Sequence, residues 1–485
     1  MKSSKVSMKK NALLNVLKQA CTIIFPFLTF SYATHVLGAE KIGIYTFGQS
    51  IVSYFAYLAM LGISDYAVRE AAAVRDDAGR LGRLANEVYT IHLLSSMVSY
   101  AALFLLLKIW GELYPYRYVI LIQSIQIALA AVGADWINTA YEDFLYLTVR
   151  YLVSALACTA AMFLFVKGPE DLYGYTFLSM LCTAGGNLWN IFYIRRYVRL
   201  RLTVRLNLKK HIPPMLMLFF NSIALVLYLN SDITILGLSS NDTVVGIYAV
   251  STKIYMMAKS MVNAVIMAVV PRLSHLAAEN RQENCVRMLS GTADILWMLL
   301  IPAAAGIFFE AENIICFAAG SDYVSGAAAL RIYSITILFA VGACFCSYAV
   351  LLPFRMEKYF LLSTVLAAAL NIGMNLWLIP RWGMNGAAFT TLLAEITVFM
   401  VTSHYAAKAV CGKLYLQKKD LCIDLIGGAA IGAVCLIVKQ LKLSYIPELG
   451  ISVVLAAAAY CGVLLFMKNQ TFLVLLQSEN VTGQL

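Results

Sequence analysis

Apolar stretches of helical length follow one another along the whole sequence, and short clusters of turn-forming or charged residues separate them. A helix needs about 20 residues to cross the hydrocarbon core of a bilayer, and each of these stretches approaches or exceeds that length. The pattern therefore predicts an all-α polytopic membrane protein. Its fourteen transmembrane helices are expected at 11–37, 42–63, 86–110, 117–139, 144–166, 172–194, 213–237, 244–270, 291–310, 327–352, 358–379, 384–407, 421–439 and 447–467.

The composition supports the same interpretation. Of the 485 residues, 61% are hydrophobic and 13% are charged, whereas soluble domains average about 45–50% apolar and about 25% charged residues. A soluble protein of this length could not keep so much apolar surface away from water. The lipid bilayer is therefore the expected solvent, and a soluble enzyme, a secreted domain and a nucleic-acid binder are excluded.

Basic residues indicate the orientation. Of the 37 Lys and Arg residues, 25 lie in the N-terminal segment and the connections on its side, while 8 lie in the opposite connections. Cytoplasmic loops carry the excess of Lys and Arg, so both termini are predicted to be cytoplasmic. The same asymmetry accounts for the net charge of +11 without a nucleic-acid partner.

Two internal echoes predict the domain organisation. IGIYTFGQSIVSY from Ile42 matches VGIYAVSTKIYMM from Val245 at an offset of 203, and GYTFLSML from Gly174 matches GAAFTTLL from Gly386 at an offset of 212. A repeat in one orientation requires an even number of spans, which is typical of two parallel lobes around a central cavity. We expect an N-lobe at 1–194 (spans 1–6), a basic cytoplasmic linker at 195–212, a C-lobe at 213–410 (spans 7–12), and spans 13–14 with a cytoplasmic tail at 411–485.

Polar and charged side chains inside spans are candidates for substrate contact, because ionisable groups there cost about 2.5–3.5 kcal/mol on insertion scales. The candidates in the first span share one helical face, and those of spans 7 and 8 include both signs of charge. A polar seam between packed helices, a structural Asp232–Lys253 pair and a Lys259 side chain that snorkels to the interface are the alternatives. The predicted cavity residues are Asn15, Lys18, Thr22, Arg150, Asn221, Asp232, Lys253 and Lys259.

Two arginines at repeat-equivalent positions, Arg69 and Arg272, end helices on the cytoplasmic side. They are predicted to form a cytoplasmic gate, with simple anchoring of the helix ends as the alternative. Glu395 and Asp294 are further acids inside spans, and either is a candidate for a coupling proton or cation. Their spacing selects neither.

Motifs for chemistry are absent from the sequence. No phosphate-binding loop, metal-ligand cluster or nucleophile–base arrangement is present, and the eleven cysteines are scattered in a way that favours packing. We therefore predict no cofactor, no metal site and no enzymatic activity.

Several loop and packing segments resemble a known family. The segments 37–77, 135–150, 231–255, 270–277 and 378–395 resemble the polysaccharide flippases of the multidrug/oligosaccharidyl-lipid/polysaccharide exporter superfamily. These include Wzx-type O-antigen flippases and exporters of capsular or teichuronic polysaccharide. The resemblance covers about residues 10–410, with a minor departure at 136–140, where the usual Trp-to-Gly pattern ends in Ala140.

The resemblance implies a function. Such a protein moves an undecaprenyl-diphosphate-linked oligosaccharide from the inner to the outer leaflet of the bacterial cytoplasmic membrane by alternating access. The product serves surface polysaccharide assembly, which makes a polysaccharide polymerase an expected partner. A cavity with Lys18 and Lys253, edged by Arg150, suits a diphosphate, because lysine binds phosphate as a point charge and arginine through a fork of donors.

Three alternatives remain open at this point. An ion-coupled multidrug exporter of the same superfamily would favour a carboxylate-rich cavity, because its substrates are usually cations. A peptidoglycan-precursor flippase would use the same positive cavity. A polysaccharide-polymerising membrane enzyme is disfavoured, since no extramembrane segment exceeds roughly twenty residues in the predicted topology.

Overall fold

The structure, a computed structural model, describes residues 8–279, 281–412 and 417–482, without the side chains of 8–21, 23, 221 and 477–482. These residues form α-helices joined by short turns. In chain order, helices α1 to α17 span Met8–Met60, Ile63–Val74, Ala78–Ile109, Arg117–Gly133, Trp136–Ala140, Phe144–Phe165, Leu172–Met180, Gly186–Tyr193, Leu208–Ser239, Asp242–Ala278, Gln282–Phe309, Ala311–Ala319, Ala327–Cys344, Glu357–Ala409, Lys418–Lys439, Tyr445–Phe466 and Gln470–Thr482.

Eleven helical segments among the described residues are long and apolar enough to cross a membrane. Two of them, Ile24–Val74 and Glu357–Ala409, contain two crossings each, because Gly38 (φ 78°) and Gly383 (φ 53°) interrupt the helix with a left-handed backbone that glycine adopts without a steric penalty. A further crossing, Leu172–Tyr193, is interrupted by the wide helical turn Leu181–Gly185. The total is the fourteen predicted spans, which confirms the polytopic all-α fold.

The chain forms two compact units, Met1–Gly246 and Ile247–Leu485. In the first unit α9 packs against α1 and α2, so the crossing predicted to open the C-lobe is part of this unit. In the second unit α13 packs against α11 and α14, and α15 packs against α11 and α16. The predicted lobe boundaries at 194 and 213 were drawn from the sequence repeat, not from the packing of helices. They remain a prediction.

A reciprocal contact in the first unit corresponds to the sequence repeat. A Cβ atom on Gly43 would lie 1.8 Å from the Asp242 carbonyl oxygen, and one on Gly246 would lie 1.9 Å from the Ala39 carbonyl oxygen. Gly43 and Gly246 are separated by 203 residues, as are Ala39 and Asp242. The starts of the two repeat-related helices therefore touch backbone to backbone with the symmetry expected of a two-fold repeat, and only glycine fits at either position.

The basic linker folds against the first unit. The backbone N–H groups of Arg201 and Thr203 donate to Asn86 Oδ1 (2.7 Å) and Thr90 Oγ1 (3.1 Å) on α3. Val198 is buried in the apolar cluster formed mainly by α2 and α3. The arginines of the linker are exposed, so the segment presents its charges outward while Val198, Leu200 and Leu206 pack against the cluster.

Candidate functional site

A buried ion pair joins α10 and α14 in the second unit. Lys259 Nζ donates to Glu395 Oε1 at 2.6 Å, and the hydroxyl of Tyr255 donates to the same oxygen at 3.2 Å. Tyr255 and Lys259 are four residues apart, so they lie on one face of α10. The Lys259 side chain is 16% exposed and that of Glu395 is 6% exposed. Of the predicted cavity residues, Lys259 is thus placed beside an acid that the spacing alone did not select.

Tyrosines of α10 and α13 pack beside this pair. The rings of Tyr255 and Tyr333 stack at 4.6 Å, and the hydroxyl of Tyr333 lies 2.5 Å from that of Tyr248. All three side chains are buried. Four residues beyond Lys259, Asn263 Nδ2 donates to Cys344 Sγ at 3.5 Å. A polar stripe on α10 therefore faces α13 and α14, and the Lys259–Glu395 ion pair joins α10 to α14 within it.

In the first unit, Arg150 on α6 is held by a carboxylate. Its Nη1 and Nη2 donate to Oδ1 and Oδ2 of Asp135 at 2.9 and 2.5 Å. Asn190 Nδ2 donates to Asp135 Oδ1 (2.9 Å) and to the Gly133 carbonyl (2.6 Å), and Asn138 Nδ2 donates to Asn190 Oδ1 (2.6 Å). The arrangement fastens α4, α5, α6 and α8 together, so the guanidinium already has the bidentate partner that a phosphate would otherwise supply.

The remaining predicted cavity residues are placed as follows. Asp232 is buried on α9, near the hydroxyl-bearing residues Ser50, Tyr54 and Thr234, which are linked by hydrogen bonds of 2.9 and 3.1 Å. Lys253 is partly buried on α10, two turns before Lys259. Their predicted roles stay predictions.

Thr22 on α1 is partly buried. The side chains of Asn15, Lys18 and Asn221 lie outside the described residues, so the structure does not place them.

The two predicted gate arginines are exposed. Arg69 Nη2 lies 3.4 Å from Glu70 Oε1, and its guanidinium is 5.9 Å from the Tyr66 ring. Arg272 lies on the exposed face of α10. Asp77, which follows α2, caps α3 and accepts from the N–H groups of Gly79 and Arg80 at 3.0 Å. The backbone N–H of Arg80 is the main reason why the pKa of Asp77 is lowered.

A buried histidine was not identified from the sequence. His211, at the start of α9, lies 2.6 Å from the Tyr66 hydroxyl through Nδ1 and 2.6 Å from Glu87 Oε2 through Nε2. These contacts fasten α9 to α2 and α3. Because the three residues are 21 to 145 positions apart in sequence, no local spacing could have pointed to them.

An apolar cavity of about 290 Å³ lies between α11, α13 and α14 in the second unit. Its fifteen lining residues include Leu296, Trp297, Phe345 and Phe399, and none of the fifteen is charged. It therefore suits an apolar chain and offers no partner for an anion. Among the described residues, no group of three or more His, Cys, Asp or Glu side chains is arranged to hold a metal ion.

Comparison with known proteins gives a matching family model, a similar curated protein and similar solved structures. A family model described as "Polysaccharide biosynthesis protein" matches residues 8–277. A curated protein of Escherichia coli (strain K12), named "Putative O-antigen transporter", is 22% identical over 415 residues, covering 82% of this chain and 96% of its own length.

Among solved structures, the lipid II flippase MurJ in an inward closed conformation superimposes with a TM-score of 0.75 at 14% identity, over 95% of this chain and 99% of its own. An inward-facing transporter of the multidrug resistance MATE family, of the MOP superfamily, superimposes with a TM-score of 0.59 at 14% identity, over 80% and 94%. At these identities the two structures support the fold alone.

Proposed function

Since the chain belongs to the polysaccharide biosynthesis protein family, we propose that it is a flippase for polyprenyl-diphosphate-linked oligosaccharides. It would carry them from the inner to the outer leaflet of a bacterial cytoplasmic membrane by alternating access, for surface polysaccharide assembly. Both termini would be cytoplasmic. The family, the multi-pass helical fold and the similarity to an O-antigen transporter support this proposal.

One observation carries the choice of an anionic substrate. In the membrane-spanning part of the second unit, the cation Lys259 donates to Oε1 of Glu395 at 2.6 Å and remains partly exposed. Ionisable groups at membrane depth mark substrate or ion pathways by default, and a lysine ammonium binds phosphate as a point charge. The diphosphate of a lipid-linked sugar is the proposed ligand of this cation and of Lys253.

The energy for transport would come from an ion gradient, from the membrane potential or from removal of the product outside. A substrate shifts the equilibrium between inward and outward states only through different affinities for the two. A polymerase that consumes the flipped oligosaccharide would supply such a sink, and the flippase itself would make and break no covalent bond.

A peptidoglycan-precursor flippase is the second candidate. The lipid II flippase MurJ, whose structure superimposes over 95% of this chain, is an example of this fold in such a flippase. Both flippase substrates would present the same diphosphate to the lysines. The two candidates differ in the sugar, which only the identity of the accumulated lipid can decide.

The test is depletion of the protein in its host, followed by mass spectrometry of lipid-linked sugars with an impermeant reagent that reports their sidedness. A complete oligosaccharide–diphosphate–lipid should accumulate on the inner face and return to normal when the wild-type protein is restored. Accumulation of a peptidoglycan precursor would favour the second candidate. An unchanged lipid pool with greater sensitivity to cationic dyes would refute both and favour a drug exporter.

Restoration with variants sharpens this test. Lys253→Ala is expected to lower the rate of flipping at least tenfold at normal protein levels, because it removes a cation from the membrane-spanning part of α10. Lys358→Ala, at an exposed lysine, is the matched control and should restore flipping fully. Equal activity of the two variants would remove Lys253 from the proposed site.

A further inference from the structure

The asymmetry of the Lys259–Glu395 pair points to a role for the acid. We infer that Glu395 is a resident counter-anion on Lys259 and that a phosphate oxygen of the substrate replaces it there when the substrate binds. The inference rests on the proposed function in that it names the diphosphate as the incoming anion. In this inference, Glu395 competes with the substrate for Lys259 and does not serve to support the fold.

The geometry favours exchange because the contact is made by one oxygen. Lys259 Nζ and the Tyr255 hydroxyl converge on Oε1 of Glu395, at 2.6 and 3.2 Å. An ammonium is a point charge without a preferred fork geometry, so a phosphate oxygen can take the place of a carboxylate oxygen without a change in the lysine's orientation. No bidentate fit is lost in the exchange.

The lysine is the more accessible partner of the pair. Lys259 is 16% exposed whereas Glu395 is 6% exposed, so we expect an incoming anion to reach the lysine first. Tyr255 stays in place during the exchange, because its ring is stacked on Tyr333 at 4.6 Å. Its hydroxyl can remain on Glu395 and stabilise the displaced carboxylate, or donate to the arriving phosphate.

The cost of keeping such a pair argues against a purely structural role. Replacing a buried ion pair by well-packed apolar residues is often neutral or stabilising, whereas removing one partner leaves an uncompensated charge and destabilises the protein. Exchanging one anion for another keeps Lys259 paired at every step, and the displaced carboxylate retains the hydrogen bond from the Tyr255 hydroxyl. The resident carboxylate thus keeps Lys259 charged and in place in the absence of substrate, at the expense of substrate affinity.

The experiment measures binding of inorganic pyrophosphate to the purified full-length protein in phosphatidylcholine nanodiscs, by isothermal titration calorimetry. Glu395→Gln removes the competing charge, and the dissociation constant of pyrophosphate should fall about tenfold. The double variant Lys259→Met/Glu395→Leu removes both charges and should fold normally but lose this binding. Glu283→Gln removes a carboxylate that is 91% exposed at the start of α11 and, as the matched control, should leave the dissociation constant unchanged.

Two results would overturn the inference. Pyrophosphate binding by Glu395→Gln that is equal to or weaker than wild type, at an unchanged melting temperature, would show that the acid does not compete. Wild-type binding by the double variant would show that Lys259 holds no anion. The double variant decides the question if Glu395→Gln fails to fold, since it leaves no unpaired charge.

The source of the anion is tested by adding phosphatidylglycerol to the nanodiscs. An unchanged pyrophosphate affinity is expected, and a loss of affinity would assign the site to a bilayer headgroup instead of the substrate. Because binding is measured without transport, this inference and the proposed function fail separately. Glu395→Gln could bind pyrophosphate more tightly while depletion of the protein leaves lipid-linked sugars unchanged. That combination would support the counter-anion role of Glu395 and refute the proposed flippase function.

Discussion

Two ion pairs of this protein, Arg150–Asp135 and Lys259–Glu395, differ in the number of bonds that hold them. Arg150 grips both oxygens of Asp135, and the amide of Asn190 adds a third bond to the same carboxylate. Lys259 contacts one oxygen of Glu395, with the Tyr255 hydroxyl as the other donor. The first pair is a rigid clamp between helices, whereas the second is a contact between point charges.

This difference changes how charges inside spans are interpreted. A cation in a span is a functional candidate by default, and both Arg150 and Lys259 meet that criterion in the sequence. The partner separates them, because the fork of the Arg150 guanidinium is already occupied by a carboxylate that Asn190 also holds in place. We therefore place Lys259 at the centre of the proposed site and treat Arg150 as a support of the first unit.

The largest expected effect is on stability and comes from breaking the Arg150–Asp135 clamp. Asp135→Ala leaves Arg150, which is 12% exposed, without its carboxylate and also removes an acceptor of Asn190. Loss of one partner of a buried pair costs about 3–5 kcal/mol, and the 44% exposure of Asp135 places this case near about 3 kcal/mol. The purified variant should have a markedly lower apparent melting temperature in detergent. A melting temperature equal to that of wild type would contradict the clamp.

How far the sequence predicts this molecule depends on the range of the interactions. The fourteen spans and the glycine turns at Gly38 and Gly383 follow from local hydropathy and backbone conformation. The sequence repeat pairs Gly43 with Gly246, although only the structure shows that the two glycines lie against carbonyl oxygens.

The candidate site was less predictable, because its partners come from distant helices. Lys259 and Glu395 are 136 residues apart. Arg150 was assigned to the cavity because the sequence does not show that Asp135, between α4 and α5, binds it. Helical spacing predicts which side chains share a face. It does not predict which helix that face meets, so the acids Glu395 and Asp294 were equivalent until the fold placed one of them beside a lysine.

A smaller effect comes from exchanging the two types of cation. Lys259→Arg introduces a fork that can bind both oxygens of Glu395, so the pair should become harder to displace. We expect pyrophosphate binding to weaken several-fold while the melting temperature is kept or raised. Arg150→Lys loses the fork in the clamp and should lower the melting temperature, at a cost of about 1–2 kcal/mol, with binding unchanged. If Lys259→Arg and Arg150→Lys changed the pyrophosphate affinity alike, or the melting temperature alike, the distinction between the two ion pairs would be contradicted.

The smallest effect concerns Asp77, a carboxylate outside the spans that provides a reference for both pairs. Its pKa is lowered from 3.8, mainly by the backbone N–H of Arg80, so the ionised form is favoured in the folded protein. The stability it contributes is present above the unfolded value of 3.8 and is lost as the pH falls through the lower folded value. Asp77→Ala should therefore lower the melting temperature slightly at pH 7, and the difference from wild type should narrow in acid. Asp77→Asn keeps a side chain that caps helices well and should recover most of the loss without the pH dependence. A difference that widens in acid would show that the charge at this position does not act through the cap of α3.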